Sequence, residues 1–138
     1  MKENPIQEIK IILVGNDSNF ISVVNMYLTK EIGNISATEI SNCRMLLKYP
    51  NLNIFDVVLI DFELSSLNCR EEITKLNFEY PNLKMIAISM HKDKFYLEDL
   101  ICMGFRGFVY KPDFVASIEI VLNNVLNNVF DFKQLYNQ

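Results

Sequence analysis

Short apolar runs alternate with amphipathic stretches along most of this chain. Residues 9–15 (IKIILVG) form a first run whose length and isoleucine content favour a strand over a helix. Ser18 is placed to cap a helix reaching about Lys30, with Phe20, Val24, Tyr27 and Leu28 on its inner face, and Gly33 ends it. Residues 35–40 (ISATEI) predict a more polar strand, suited to a sheet edge. A short helix over 42–49 leads to a strand at 55–60, where Val57, Val58, Leu59 and Ile60 follow one another before Asp61. Cys69, Ile73, Leu76 and Tyr80 have the spacing of a third helix's buried stripe. Residues 83–89 (LKMIAIS) give a fourth strand, 93–103 a helix stopped by Gly104, and 107–110 (GFVY) a fifth strand. Asp113 then caps a last helix with Phe114, Ile118, Val121, Val125 and Val129 on one face.

The segment Tyr-Pro-Asn-Leu occurs twice, at 49–52 and 80–83, each time between a helix and a strand. Proline stops the helix and Asn-Leu leads back into the sheet, so the echo marks one kind of turn used twice rather than a solenoid period. Five strands each followed by a helix, with apolar central strands, predict a parallel sheet covered on both faces. Right-handed crossovers make this a doubly wound five-stranded α/β domain with five helices, whose sites lie at the carboxyl ends of the strands. Gly15-Asn16-Asp17, Asp61, Ser89 and Lys111 occupy those ends and should converge. A second apolar set on the last helix, Val115, Leu122 and Leu126, leaves two readings open. With Leu100, Ile101 and Tyr110 it forms a docking or dimerisation patch, or it is further core.

Composition narrows the class. The 138 residues suffice for one domain with its own core, and half of them are hydrophobic, which excludes a disordered chain. Lysine and arginine total 13 against 17 acids, for a net charge of −4, and no basic or aromatic cluster stands out, so direct nucleic-acid binding is not expected. Cys43, Cys69 and Cys102 lack CxxC spacing and are expected to be core-filling thiols, neither a disulfide framework nor a zinc site. His91, the sole histidine, is expected in a solvated loop. The N-terminus has no signal-peptide apolar region and no run approaches a membrane span, so a cytoplasmic protein without membrane contact is expected.

Two segments and one residue together resemble the receiver domain of two-component response regulators: VVLIDFEL around Asp61, CMGFRGFVYKP through Lys111, and Ser89 at the end of the fourth strand. The resemblance spans residues 8 to 130 and implies a flavodoxin-like (CheY-like) fold with strand order 2-1-3-4-5, a receiver-like domain over 1–130, and a tail or linker start at 131–138. It implies that Asp61 accepts a phosphoryl group from a sensor histidine kinase or a phosphotransfer protein, in a domain that is not otherwise an enzyme. Lys111 would neutralise one phosphoryl oxygen and Ser89 would hydrogen-bond another. Phe108 would be the aromatic switch, signalling through the face of helix four, strand five and helix five, where a homodimer could also form.

The same resemblance implies Mg2+, held by Asp61, the backbone carbonyl of Glu63 and acidic residues after strand one. Those last positions are Gly15 and Asn16 here, followed by Asp17, so Asn16 and Asp17 are the remaining ligand candidates and the ion is expected to be weakly bound or absent. Met90 stands where a small residue is usual and would restrict access to the site, and Ser65 replaces a loop proline. These departures favour the alternative of a phosphorylation-independent pseudo-receiver, a protein–protein interaction module. A flavodoxin-like cofactor binder is disfavoured because Gly15-Asn16-Asp17-Ser18-Asn19 makes a poor phosphate cradle, and a hydrolase because no nucleophile elbow is present.

Overall fold

Successive side chains of the strands point to opposite faces of one sheet, and both faces are apolar. The computed structural model describes residues 7–62 and 69–136. Its five strands, β1 (Ile9–Val14), β2 (Ile35–Ile40), β3 (Val57–Asp61), β4 (Lys84–Ser89) and β5 (Gly107–Tyr110), are all parallel and lie in the order β2-β1-β3-β4-β5. The helices are α1 (Ser18–Met26), α2 (Cys43–Leu47), α3 (Arg70–Glu79), α4 (Lys94–Met103) and α5 (Phe114–Leu126). Ile11, Leu13, Val57, Leu59, Ile86, Ile88 and Val109 face α1 and α5, while Ile12, Val14, Val58, Ile60, Met85, Ala87 and Phe108 face α2, α3 and α4. This is the predicted doubly wound architecture. At about 1.5–3 kcal/mol for each fully buried aliphatic side chain, the two layers supply most of the stabilisation.

Local chemistry adjusts the predicted boundaries. Asp17, not Ser18, is the N-cap of α1, its carboxylate accepting the Phe20 amide proton at 3.2 Å. Helix α1 continues as a π-helical turn (Tyr27–Ile32), and its buried residues are Ile21, Val24 and Leu28, with Phe20 and Tyr27 half-buried against Phe114. Asp113 holds the N-cap position of α5 without a side-chain cap bond, because a 3-10 turn (Lys111–Asp113) runs into the helix instead. Gly104 ends α4 at φ 105°, and a Cβ there would meet the Asn77 side chain at 2.4 Å. The two Tyr-Pro-Asn-Leu turns differ. Asn51 is left-handed (φ 59°) and followed by a 3-10 turn (Leu52–Ile54), whereas Leu83 bonds back to the Tyr80 carbonyl and enters β4 directly.

The last helix and the segment beyond it add detail to the sequence reading. Helix α5 stops at Leu126, so Val129 is exposed rather than on the inner face. Leu100 and Leu122 are core, Val115 and Ile101 are exposed, and Tyr110 and Leu126 are half-buried, so the six do not form one patch. Asp131 and Phe132 pack onto the domain: the Asp131 carbonyl accepts the Phe108 amide proton, its own amide donates to the Arg106 carbonyl, and Phe132 is buried against the α4 side of the core. A strand edge left bare exposes unpaired backbone groups, and this segment covers them.

Candidate functional site

Parallel strands in register deliver their carboxyl ends to one side of the sheet. Asp61 lies opposite Ile88, and Ser89 opposite Tyr110, with Lys111 next in the chain. The Phe62 amide donates to the Ile88 carbonyl at 2.9 Å, which locks the end of β3 beside Ser89. Gly15 emerges from β1 against the same point, where an added Cβ would come within 3.1 Å of the Asp61 Cβ. Asp61 and Lys111 thus come together, and Ser89 ends the strand between them.

The centre of the site is an ion pair. Lys111 Nζ is 2.9 Å from Asp61 Oδ1, with the aspartate side chain only 6% exposed and the lysine 17%. The ammonium also lies 4.4 Å from the Phe20 ring centroid, a cation–π contact that helps fix its position. A carboxylate this buried needs a cation, and here a protein side chain supplies it.

Ser89 is fully buried, and its Oγ accepts the His91 amide proton at 3.1 Å. On its other side the Tyr96 hydroxyl lies 3.0 Å away, and that same hydroxyl donates to the Phe62 carbonyl. Tyr96 comes from the first turn of α4, which Asp93 caps by accepting the Tyr96 amide proton at 3.3 Å. Its ring is stacked with Phe62 (centroids 6.5 Å apart) and meets the edge of half-buried His91 at 5.8 Å. Sequence reasoning missed Tyr96. A buried aromatic at helical spacing looks like core, and only its hydroxyl beside a strand-end serine distinguishes it.

The remaining predicted residues are placed less centrally. Asn16 and Asp17 are exposed, and the Asp17 carboxylate serves the α1 cap. Glu39, which lines the cleft beside Gly15, accepts a hydrogen bond from Asn25 at 2.7 Å. Met90 is 51% exposed, and Phe108 is fully buried in the core. Glu63 and Ser65 lie outside the described residues. Among the described residues, no group of three or more His, Cys, Asp or Glu could hold a metal ion. Magnesium favours several hard anionic oxygens, and this donor set fits it poorly.

Two further features lie on the α2–α3–α4 side of the sheet. Arg70 of α3 makes a two-pronged ion pair with Asp99 of α4, one contact being Nη1–Oδ1 at 2.7 Å, and the hydrogen bond from Arg70 lowers the Asp99 pKa below its ordinary value. Burial, with the neighbouring Cys69 thiol second, pushes the Cys43 thiol pKa far up, which suits the expected core role. Among the described residues, no helix is long and apolar enough to cross a membrane.

Comparison with known proteins agrees with this geometry. The family model for the response regulator receiver domain matches residues 11–122. The transcriptional regulatory protein DegU of Brevibacillus brevis is 33% identical over 67 residues, which are 48% of this chain and 28% of that protein, so the match spans under a third of its length. A LuxR-family two-component response regulator from Aurantimonas sp. SI85-9A1 superposes with a TM-score of 0.83 at 13% identity, covering 95% of this chain and 94% of that one. The RcsB response regulator of Salmonella typhimurium gives 0.79 at 13% identity, covering 95% and 71%. At these identities the solved structures speak for the fold alone. With four-fifths of its length matched by the family model and its strand-end residues gathered as described, this chain belongs to the response regulator receiver domain family of two-component signalling.

Proposed function

We propose that Asp61 is a phosphoacceptor, taking a phosphoryl group from the phosphohistidine of a sensor histidine kinase or a phosphotransfer protein. Receiver domains interact with such partners and are not enzymes beyond their own phosphorylation. The observation that carries the reading is the nearly buried Asp61 carboxylate 2.9 Å from Lys111 at the carboxyl end of β3. In the transfer, an Asp61 carboxylate oxygen bonds to phosphorus as the P–N bond of the donor breaks, and the electron pair of that bond returns to the departing imidazole. Lys111 is already in place to meet the negative charge that arrives, and the Ser89 hydroxyl can donate its proton to a phosphoryl oxygen.

Receiver domains generally bind Mg2+. Here Asp61, the Glu63 carbonyl and the exposed amide of Asn16 are the donors to hand, and binding is weak because Gly15 contributes no carboxylate and Asp17 caps α1. Met90, beside Ser89, restricts bulky donors more than small ones. A homodimer using the α4–β5–α5 face would have to rely on side chains, since the backbone of Arg106 and Phe108 is bonded to Asp131.

A second reading keeps the fold and dispenses with phosphorylation. It is favoured by the same ion pair, in which Lys111 already satisfies Asp61, and by the glycine at the acidic position. Incubation with acetyl phosphate, with and without Mg2+, followed by intact-mass spectrometry separates the two. One phosphoryl adduct, absent from Asp61→Ala, supports the phosphoacceptor; no adduct from acetyl phosphate or from a phosphorylated kinase supports the interaction module.

A further inference from the structure

We propose that Cys43 and Cys69 are a redox-active thiol pair that closes to a disulfide by exchange with a low-molecular-weight disulfide. The bond fastens the start of α2 to the start of α3. It uses no part of the phosphoacceptor reading.

The spacing of the cysteines does not suggest this, since 26 positions (69 − 43) and strand β3 separate them. The fold brings them together. Cys43 is the first residue of α2, and Cys69 holds the N-cap position of α3. Their side chains are in hydrogen-bonding contact, and both line one cavity of about 270 Å³ together with Asn42, Arg44 and Glu72. Both are free thiols, as is Cys102, which is exposed on α4. A disulfide requires two sulfurs that reach bonding distance without a large backbone movement, and thiols already in contact meet that condition. The polar link at this junction is the Arg44–Glu72 ion pair at 3.8 Å, with the arginine 80% exposed, which contributes little. A covalent bond therefore changes how firmly the two helix starts are held.

The two thiols are unequal, and this sets the order of events. Cys69 is partly exposed, whereas Cys43 is buried. Burial first, then the Cys69 contact and the Glu72 charge, disfavour the Cys43 thiolate, so Cys43 is a poor first nucleophile. Cys69 attacks the small disulfide, forming a mixed disulfide with one half of it while the other half leaves as a thiolate. Cys43 then gives up its proton and attacks the Cys69 sulfur, expelling the second half. The contact between the two side chains makes this step intramolecular, which offsets the scarcity of the Cys43 thiolate. In total the pair loses two electrons and two protons, and the small disulfide departs as two thiols. Excess reducing thiol runs the exchange backwards.

The test incubates the full reduced chain with glutathione disulfide at neutral pH, alkylates the remaining thiols in denaturant, and reads intact mass and linked peptides. The reduced chain should take three alkyl groups, one for each cysteine. The oxidised chain should be two hydrogens lighter before alkylation and take a single alkyl group, at Cys102, with Cys43 and Cys69 in one linked peptide. Cys43→Ala should stop at a glutathione adduct on Cys69, and Cys69→Ser should leave Cys43 reduced. Adducts on Cys69 that never close in the wild type, a link involving Cys102, or no reaction at Cys69 overturns the proposal. A phenylarsenical, which is held tightly only by adjacent thiols, reads the pairing without an oxidant. It should protect Cys43 and Cys69 together from alkylation in the folded wild-type chain and lose that effect in Cys69→Ser. Wild-type protein whose two thiols are not protected together overturns the pairing.

Discussion

Replacing Lys111 by methionine keeps most of the side chain's bulk and removes its charge, leaving Asp61 without the ammonium 2.9 Å away. The Asp61 side chain is 6% exposed and cannot recover full hydration. Breaking a buried pair by deleting one partner costs about 3–5 kcal/mol, and because Lys111 itself keeps 17% exposure the lower end applies, about 3 kcal/mol. The reverse deletion is milder. In Asp61→Asn the lysine can swing its ammonium into solvent, for a cost of about 1 kcal/mol. The double variant leaves no uncompensated charge and should therefore lose clearly less than the sum of the two, about 2 kcal/mol. Urea unfolding followed by circular dichroism reads these differences. With a slope of about 1.5 kcal/mol per molar, Lys111→Met should lower the midpoint by about 2 M. A shift under about 0.3 M, or strict additivity in the double variant, would show that the pair does not hold the site together.

The same geometry sets three other outcomes. Restoring acids with Gly15→Asp and Asn16→Asp should raise Mg2+ affinity at least about tenfold by calorimetric titration. Asp17→Ala should leave Mg2+ binding unchanged and cost about 1 kcal/mol as a lost cap; a wild-type chain that already binds as tightly as the restored one contradicts the first expectation. Phe132→Ala should cost about 3 kcal/mol in urea unfolding, as for a core phenylalanine, whereas a free tail would show no change. The Arg70–Asp99 pair depresses a carboxylate, so its contribution is present above the ordinary carboxylate range and fades as pH falls through the lowered value. Both groups are about two-fifths exposed, so Arg70→Met should cost only about 0.5 kcal/mol at pH 7, and the difference should shrink as pH falls below the ordinary carboxylate range; a constant difference on acidification would assign the effect to packing.

Much of this molecule is legible in the chain because its strands are short apolar runs bounded by turn residues, and because parallel strands leave their ends together. That logic places Asp61, Ser89 and Lys111 in one site from the sequence alone. What escapes it is geometry that carries no pattern. The pairing of Asp131 with β5 runs through backbone groups, which every sequence has, and it comes after Asn127-Asn128, which looks like the end of structure. Choosing Ser18 over Asp17 as the cap is a one-residue error between two good capping residues, yet it decides whether Asp17 is a ligand candidate. Tyr96 escapes for a different reason. Periodicity reports that a position is buried but not that a buried hydroxyl has a particular partner. The extra apolar set on α5 splits for a geometric reason: Leu122 lies on the sheet side of the helix and Val115 on the solvent side.

The central claim concerns Asp61, and intact-mass spectrometry after incubation with a phosphorylated histidine kinase or acetyl phosphate tests it most directly. The account predicts one phosphoryl adduct on the wild-type chain, labile to hydroxylamine as an acyl phosphate must be, and none on Asp61→Ala. An adduct that persists in Asp61→Ala, or its absence from the wild type with every donor, would contradict it.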